Sequence, residues 1–270
     1  MTRFKLGFVL ESTGLAIRPA VEQAAKWGVS GFQANAVGPL SADALTETGR
    51  REFRNLLKSF SVEVSALGCP IRQGLDTSDG MDRRLDNIRK AMQLAFDLGA
   101  RKVVVPFPKL PEDAESPRAV TLRHALTDLS LFADRVGTLV CLEAGLDAGT
   151  KVKEYLATFD TGSLQVNFDP ANFLVNGFDP LASAVALAGK IGHTHARDAR
   201  RSSISSGPEE VPVGAGDIEW MAYAATLESI DYRGYLTVER TLGDNRLQDV
   251  AASIKFLRRF VPDESSSPRR

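Results

Sequence analysis

The feature that most constrains the fold is a regular alternation of short apolar runs with longer amphipathic segments. Eight runs have the length and composition of β-strands, and eight segments with helical periodicity follow them in turn. The predicted strands are 6–10, 31–35, 62–67, 102–107, 139–143, 164–169, 191–195 and 235–239. The predicted helices are 17–27, 48–60, 80–98, 117–136, 150–158, 179–189, 217–229 and 245–260.

The composition of the runs favours a closed parallel sheet. Segments such as KVVVPF (102–107) and LVCLE (139–143) are apolar on both faces, as in parallel strands covered by helices. Eight βα repeats match a (β/α)8 barrel better than an open doubly wound sheet, and no GxGxxG follows the first strand. We therefore predict a single-domain α/β TIM barrel over residues 1–262. The polar segment 263–270 is predicted to be a disordered C-terminal tail.

Bulk composition narrows the partners of the chain. The net charge of −1 gives no electrostatic reason to expect binding to nucleic acid or to an anionic membrane. No apolar stretch approaches the roughly 20 residues that span a bilayer, and the N-terminus lacks the features of a signal peptide. Cys69 and Cys141 lie in apolar runs, so we expect two reduced core cysteines and a cytoplasmic location.

Four polar side chains stand at the carboxyl ends of four consecutive predicted strands. They are Glu143, Asp169, His195 and Glu239. In a (β/α)8 barrel these strand ends form the active-site face. A single carboxylate after a strand is often only a helix cap, but four such positions favour a metal site. Three carboxylates and one imidazole suit Mn²⁺ best, with Mg²⁺, Co²⁺ or Zn²⁺ as alternatives, and no organic cofactor is expected.

Strand alternation predicts a second polar layer below these four residues. Asn167, His193 and Thr237 each lie two positions before one of them and so share its side of the strand. Glu11, at the end of the first strand, is a further candidate for the mouth of the barrel. Trp220 is equally well explained as mouth or as core, whereas His124 lies in the middle of a helix and is given no chemical role.

Three segments resemble a known group. NFDPAN (167–172), HTHARD (193–198), and VPVGAGDIEW (211–220) followed by YRGYLTVER (232–240) are similar to motifs of the xylose-isomerase-like TIM-barrel superfamily. This superfamily of sugar isomerases and epimerases includes ketose 3-epimerases, hydroxypyruvate isomerases and inosose dehydratases. The resemblance implies metal binding by Asp169, His195 and Glu239. It also implies that Glu143 and Glu239 bind metal and move protons, and that Arg201 contacts the substrate.

The chain departs from the ketose 3-epimerases at three points. Asn172 stands where a substrate-contacting histidine is common, and Arg197 stands where lysine is common. The second glutamate that often follows the strand-five glutamate is absent, because GLDAGT follows Glu143. These differences disfavour a simple ketose 3-epimerase. The residues predicted to contact substrate are Asn172, His193, Arg197, Arg201 and Glu11.

The leading functional hypothesis is a metal-dependent sugar or polyol isomerase or epimerase. It would move a proton next to a carbonyl through an enediolate. The alternative is a lyase or dehydratase that uses the same deprotonation on a keto-sugar, an inosose or a 3-keto-glycoside.

An endonuclease IV-like DNA repair enzyme is a remote alternative, because the chain has only three histidines and no basic surplus. A non-catalytic sugar-binding barrel would be expected to have lost a ligand. The expected partner is a small carbohydrate, and a homodimer or homotetramer is compatible with the sequence.

The long segment 196–216 is rich in serine and glycine and is predicted to be a mobile cover over the mouth. Asp217 is predicted to cap the helix that follows. A carboxylate at that helix end would repel a phosphate group, which favours a substrate without phosphate.

Overall fold

Eight parallel strands close into a barrel in the computed structural model, which describes residues 4–201 and 207–261. Seven strands pair in chain order, and the eighth lies between the seventh and the first. The barrel strands are Lys5–Val9 (β1), Gly31–Asn35 (β2), Glu63–Gly68 (β3), Lys102–Pro106 (β4), Leu139–Ala144 (β5), Leu164–Phe168 (β6), Ile191–Ala196 (β7) and Tyr235–Val238 (β10). The predicted (β/α)8 barrel is confirmed.

Helices follow the strands around the outside of the barrel. They are Ile17–Trp27 (α1), Glu47–Ser59 (α2), Met81–Leu98 (α3), Pro117–Val136 (α4), Gly149–Leu156 (α5), Pro170–Val175 (α6), Pro180–Ala186 (α7), Trp220–Ser229 (α8) and Arg246–Leu257 (α9). Two 3₁₀ turns, Leu10–Thr13 and Gly38–Leu40, follow β1 and β2. Each predicted helix is present. The predicted tail over 263–270 lies outside the described residues.

Helix α6 is an element that the sequence patterns did not predict. Asp169 caps it by accepting hydrogen bonds from the N–H groups of Ala171 and Asn172, and Pro170 occupies its first turn. Phe173 then stacks on Phe168 of β6, with 4.6 Å between the ring centroids. Burial of such a ring stabilises the fold by about 2–3 kcal/mol. Six residues are too few to show a clear helical period, which is why the sequence pattern did not predict this helix. Its cap and the buried ring of Phe173 stabilise it.

Two groups of buried side chains, one polar and one apolar, lie on neighbouring strands of the barrel. Asn167, His193 and Thr237 are fully buried on neighbouring strands, as the alternation predicted. Ala66, Val104 and Cys141 form a small separate apolar cluster on β3, β4 and β5. The Cys141 thiol is therefore free and buried, as is that of Cys69. The three polar residues lie on β6, β7 and β10, the strands that end in Asp169, His195 and Glu239.

The predicted cover over 196–216 is partly regular structure. Asp198–Arg200 (β8) pairs antiparallel with Glu209–Val211 (β9), while residues 202–206 lie outside the described chain. The buried Asp198 carboxylate accepts hydrogen bonds from the backbone of Gly214, Gly216 and Ile218 and from the Trp220 indole. A Cβ on Gly216 would lie 2.2 Å from an Asp198 oxygen, so glycine is required there. Asp198 thus fixes the start of this segment to its end.

Among the helices within residues 4–201 and 207–261, none combines the length and the apolar character needed to cross a bilayer.

A hydrogen-bonded cluster whose strength depends on pH lies at the N-terminal ends of β1, β3 and β10. The Tyr235 hydroxyl donates to Glu63 Oε1 at 2.6 Å, and Lys5 Nζ lies 3.0 Å from the same oxygen. Burial alone would raise the pKa of Glu63, but the bonds from Tyr235 and Lys5 outweigh it and lower the pKa. The contact therefore stabilises the fold above the unfolded-state pKa of about 4.3. That contribution is lost as the pH falls through the folded-state pKa.

We expect Tyr235→Phe to lower the free energy of unfolding by about 1 kcal/mol at pH 7, a value reduced because Glu63 is half exposed. The deficit should shrink as the pH falls towards 3. Urea unfolding at several pH values measures it. Tyr232→Phe is the control, because its hydroxyl donates to the backbone carbonyl of Tyr235 and its effect should not depend on pH in this range. A Tyr235→Phe deficit of the same size at pH 7 and pH 3 would contradict this account.

Candidate metal centre

The ends of β5, β6, β7 and β10 bring four potential ligands together. Glu143, Asp169, His195 and Glu239 each offer one atom, and these atoms all lie within 4.8 Å of one another. His195 Nδ1 lies 3.1 Å from Glu239 Oε2 and 4.0 Å from Glu143 Oε1. The four residues predicted from the strand ends are thus neighbours in space, and we call them the quartet.

The members of the quartet differ in their access to solvent. The side chains of Asp169 and His195 are 0% and 1% exposed, whereas those of Glu143 and Glu239 are 24% and 16% exposed. The two glutamates are therefore the members that a ligand entering the mouth of the barrel can contact. Asp169 and His195 form the closed floor of the site.

The orientation of His195 is set by a residue on the opposite side of the barrel. Its Nε2 lies 3.0 Å from Gln33 Oε1, which can only accept, so Nε2 carries the hydrogen. Nδ1 is then the atom that faces the glutamates, and the amide of Asn167 lies 3.2 Å from it. Such a bond to the remote nitrogen is how proteins fix the tautomer of a metal-binding histidine.

Asp169 is held through both of its oxygens. Oδ1 caps α6, and Oδ2 accepts from Arg197 Nη1 at 2.8 Å. The same helix brings Asn172 Nδ2 to 3.2 Å from Glu143 Oε1. A Cβ on Gly145 would lie 2.4 Å from the Asn172 Cβ, so a glycine after β5 is needed for this approach. Asp169 is thus a helix cap and a member of the quartet at once.

Arg197 begins a chain of alternating charges that leads away from the quartet. Its guanidinium contacts Asp169, Asn172 and Glu210, and its Nε lies 3.6 Å from Glu239 Oε2 without a hydrogen-bond partner. Glu210 in turn forms a salt bridge with Arg240, and Arg240 forms another with Asp249. These acidic partners raise the pKa of Arg197 further above its usual value, although burial opposes them. Arg197 is therefore a permanent cation beside the quartet.

The pKa values of the quartet reflect mutual repulsion and one strong attraction. Burial raises the pKa of Glu143, and the charges of Glu239 and Asp169 raise it further against the opposing effect of His195. Burial would lower the pKa of His195, but the charges of Glu239 and Glu143 outweigh it and raise the pKa. Burial would raise the pKa of Glu239, but His195 and Arg197 lower it. Without a metal ion, His195 and Glu239 thus form an ion pair.

Glu11 lies on the 3₁₀ turn after β1, the strand that pairs with β10. Its Oε1 accepts from the Asn35 N–H at 2.8 Å, and its Oε2 is buried without a hydrogen-bond partner. Burial raises the pKa of Glu11, and the charge of Glu239 adds to this rise.

Two residues predicted to contact substrate lie elsewhere. His193 is fully buried below the quartet, where its Nε2 lies 3.1 Å from the Thr237 hydroxyl, and burial lowers its pKa well below the usual value. Arg201 is exposed and lines a separate cavity of about 380 Å³ beside Phe178 and Pro208. Asn172 and Arg197 thus contact the quartet directly, whereas Glu11 is held by the Asn35 backbone and Arg201 lies apart.

Asp217 does not cap α8, which begins at Trp220 with Glu219 as its N-cap residue. Its carboxylate instead accepts from the Arg201 backbone N–H at 2.7 Å, because the loop returns towards β8. The predicted capping role is wrong, and Asp217 gives no reason to exclude a phosphate group from the substrate. Trp220 is buried core, and His124 is exposed on α4.

Three residues that hold the site together were not predicted from the sequence: Gln33, Asp198 and Glu210. Gln33 had a usable signal, since it is the one amide inside the otherwise apolar run GFQA. Asp198 lies within HTHARD, but nothing in the sequence points to its partners beyond Arg200. Glu210 sits in a polar loop, and no pattern distinguishes it from its neighbours. Its role appears only once β9 is paired with β8.

The chemistry of the donors fits a divalent cation. Three carboxylates and one imidazole nitrogen converge in a largely buried space, where their mutual repulsion is only partly balanced by Arg197. Oxygen donors with one imidazole suit Mn²⁺ or Mg²⁺ and also allow Co²⁺ or Zn²⁺. Metal binding would require His195 in its neutral form and would release its proton.

Comparison with known protein families decides the classification. The model of the xylose isomerase-like TIM barrel family matches residues 21–260. The chain belongs to the xylose isomerase-like TIM barrel family. No curated protein sequence is significantly similar to this chain.

Solved structures of other proteins share the fold at low sequence identity. A xylose isomerase domain protein from Planctomyces limnophilus is 24% identical and has a TM-score of 0.84, with 96% of this chain and 97% of that chain covered. A D-tagatose 3-epimerase-like protein is 19% identical with a TM-score of 0.77 and the same coverage. The probable 3-DHS dehydratase AsbF of Bacillus anthracis is 17% identical with a TM-score of 0.74, and 94% and 98% of the two chains are covered.

The hydrogen bond between His195 Nε2 and Gln33 Oε1 is predicted to affect metal affinity. Gln33→Leu should lower Mn²⁺ affinity about 10- to 100-fold, because the imidazole is no longer fixed with Nδ1 towards the carboxylates. Metal titration of the purified variant measures this. Gln165→Leu removes an amide that donates to the Gly162 carbonyl and should leave the affinity unchanged. A folded Gln33→Leu protein with unaltered Mn²⁺ affinity would show that Gln33 does not position His195.

Proposed function

We propose that this protein is a divalent-metal-dependent enzyme that moves a proton next to a carbonyl group of a sugar or polyol. The product of that step is an enediolate, and its reprotonation gives an isomer or epimer. The observation that carries the proposal is the convergence of three carboxylates and one imidazole at the mouth of a xylose isomerase-like barrel. The two free, buried cysteines support a reducing, cytoplasmic setting.

The quartet would hold the ion through Glu143, Asp169, His195 Nδ1 and Glu239. A bound divalent ion supplies electrostatic stabilisation of negative charge that develops on a substrate oxygen. We favour Mn²⁺, with Mg²⁺, Co²⁺ and Zn²⁺ as alternatives, because the donor set is rich in oxygen.

Proton transfer is assigned to Glu143 and Glu239. They are the two members of the quartet with exposed surface, and they come from β5 and β10, which are separated by β6 and β7. Carboxylates on two sides of one substrate carbon can remove a proton from one face and return it to the other. Asn172 binds the Glu143 carboxylate and so fixes its direction. His193, which has no exposed surface, supports the layer below rather than the substrate.

Arg197 favours a second outcome of the same deprotonation. Its Nε–H is buried and lacks a partner, so it can donate to a substrate oxygen, and its raised pKa prevents it from acting as an acid. A fixed cation of this kind stabilises negative charge on a departing oxygen. Elimination of a group next to the deprotonated carbon would make the protein a lyase or dehydratase on a keto-sugar, an inosose or a 3-keto-glycoside.

Solvent-deuterium exchange tests the proposed chemistry. With Mn²⁺ present, mass spectrometry of keto-sugars, inososes and 3-keto-glycosides should reveal one substrate that gains deuterium next to its carbonyl. Glu239→Gln at saturating Mn²⁺ should slow this exchange at least about 100-fold, since general acid–base groups contribute roughly that much or more. Glu209→Gln, on the exposed end of β9, is the matched control and should exchange at the normal rate.

The products separate the two outcomes of deprotonation. A deuterated isomer supports an isomerase or epimerase, and a released fragment or water supports a lyase. Normal exchange by Glu239→Gln would remove Glu239 from proton transfer.

A further inference from the structure

A cavity of about 560 Å³ lies between the loop that follows β3 and the first two turns of α3. Residues 69–73 line it from the loop. The residues that line it from the helix are Gly80, Arg83, Arg84 and Asn87. Their spacing of i, i+3, i+4 and i+7 places them on one face of α3. The cavity follows the carboxyl end of β3, a strand that carries no member of the quartet.

Three arginines line this cavity, and no acidic residue of the described chain does. They are Arg72, from the loop, and Arg83 and Arg84, from the helix. In the part of the chain that the structure describes, none of the three forms an ion pair, whereas Arg118 pairs with Asp76 of the same loop. The wall of the cavity therefore carries positive charge that the protein does not balance.

Arg84 is the cation that the fold fixes in place. It is only 9% exposed, and its Nη1 donates to Gln73 Oε1 at 2.9 Å and to the Asp79 carbonyl at 2.6 Å. Its Nη2 donates to the Thr77 carbonyl, and its Nε is buried without a partner. The Asp79 carboxylate lies 3.4 Å from Gln73 Nε2 instead. Every oxygen that Arg84 contacts is thus neutral, and a buried cation of this kind is costly unless an anion accompanies it.

The start of α3 adds donors beside these arginines. Its N-cap residue is Gly80, which supplies no side-chain acceptor to the N–H groups of the first turn. Asp82, the acidic residue of that turn, is exposed and does not line the cavity. The aligned peptide dipoles of this 18-residue helix place partial positive charge at the same end. Such helix ends bind phosphate groups through their backbone N–H groups.

We propose that this cavity is a binding site for a phosphate group, held by Arg72, Arg83, Arg84 and the start of α3. A phosphate dianion balances more of this charge than a carboxylate does, and its oxygens match the planar donors of a guanidinium group. The volume is that of a site for a small molecule, so it admits a phosphate ester as well as the free ion. The site does not depend on the proposed reaction, because it contains no member of the quartet.

Titration calorimetry with inorganic phosphate tests this site. Arg72→Gln/Arg83→Gln removes the two exposed arginines and leaves the contacts of Arg84 in place. It should weaken phosphate binding at least about tenfold, since charge-assisted hydrogen bonds are lost. Arg18→Gln/Arg123→Gln removes the same charge from exposed positions of α1 and α4 and should bind phosphate as the parent does. No saturable binding to the parent, or equal binding by Arg72→Gln/Arg83→Gln, would overturn the proposal.

A chelator separates this site from the quartet. Phosphate should bind with the same affinity in Mg²⁺ and in EDTA, because the cavity contains no member of the quartet. Binding that requires Mg²⁺ and survives Arg72→Gln/Arg83→Gln would place the anion at the quartet and overturn the proposal. Loss of deuterium exchange in a protein that still binds phosphate in EDTA would contradict the proposed reaction and leave this site supported.

Three further ligands identify the molecule that carries the anionic group. D-fructose 6-phosphate and D-fructose differ by one phosphate group, and acetate supplies a single carboxylate. Binding of the ester more tightly than inorganic phosphate, lost in Arg72→Gln/Arg83→Gln, would support a site for a phosphorylated small molecule. Equal binding of the ester and inorganic phosphate would support a site for the free ion. Acetate bound as tightly as phosphate would overturn the assignment of a phosphate group.

Discussion

The repulsion among three carboxylates held close together at the mouth of the barrel is the constraint on which the rest of the site depends. Glu143, Asp169 and Glu239 offer atoms within 4.8 Å of one another in a space that is largely closed to water. Like charges at this distance and burial cannot all persist without compensation. The raised pKa of Glu143 and the ion pair between His195 and Glu239 are the response of the protein to this repulsion.

The surrounding structure keeps the quartet together against this repulsion. Asp169 is fixed by the start of α6 and by Arg197, and His195 is fixed by Gln33 from the far side of the barrel. Glu210 and Arg240 continue the alternation of charge outwards, so the cation beside Asp169 is itself held in place. Closure of the sheet is what makes these contacts available, because Gln33 on β2 and His195 on β7 are neighbours only across a closed barrel.

The barrel and the quartet could be predicted from the sequence because both follow from local patterns. Apolar runs of the right length identify strands, and a charged residue at the end of such a run marks the active-site face of a barrel. Helix α6 and the β8–β9 ribbon could not be predicted in this way, since they depend on single caps and on contacts across the loop, as Asp198 shows. Gln33 and Glu210 matter only through partners on distant elements. The capping role expected of Asp217 was wrong because the chain turns back to Arg201 before α8 begins.

The central claim is that the quartet binds one divalent ion. Anomalous diffraction from crystals grown with Mn²⁺, measured at the manganese absorption edge, tests this most directly. The account predicts one strong anomalous peak within coordinating distance of Glu143, Asp169, His195 Nδ1 and Glu239. A fully occupied Mn²⁺ elsewhere in the protein, with no peak among these four residues, would contradict it.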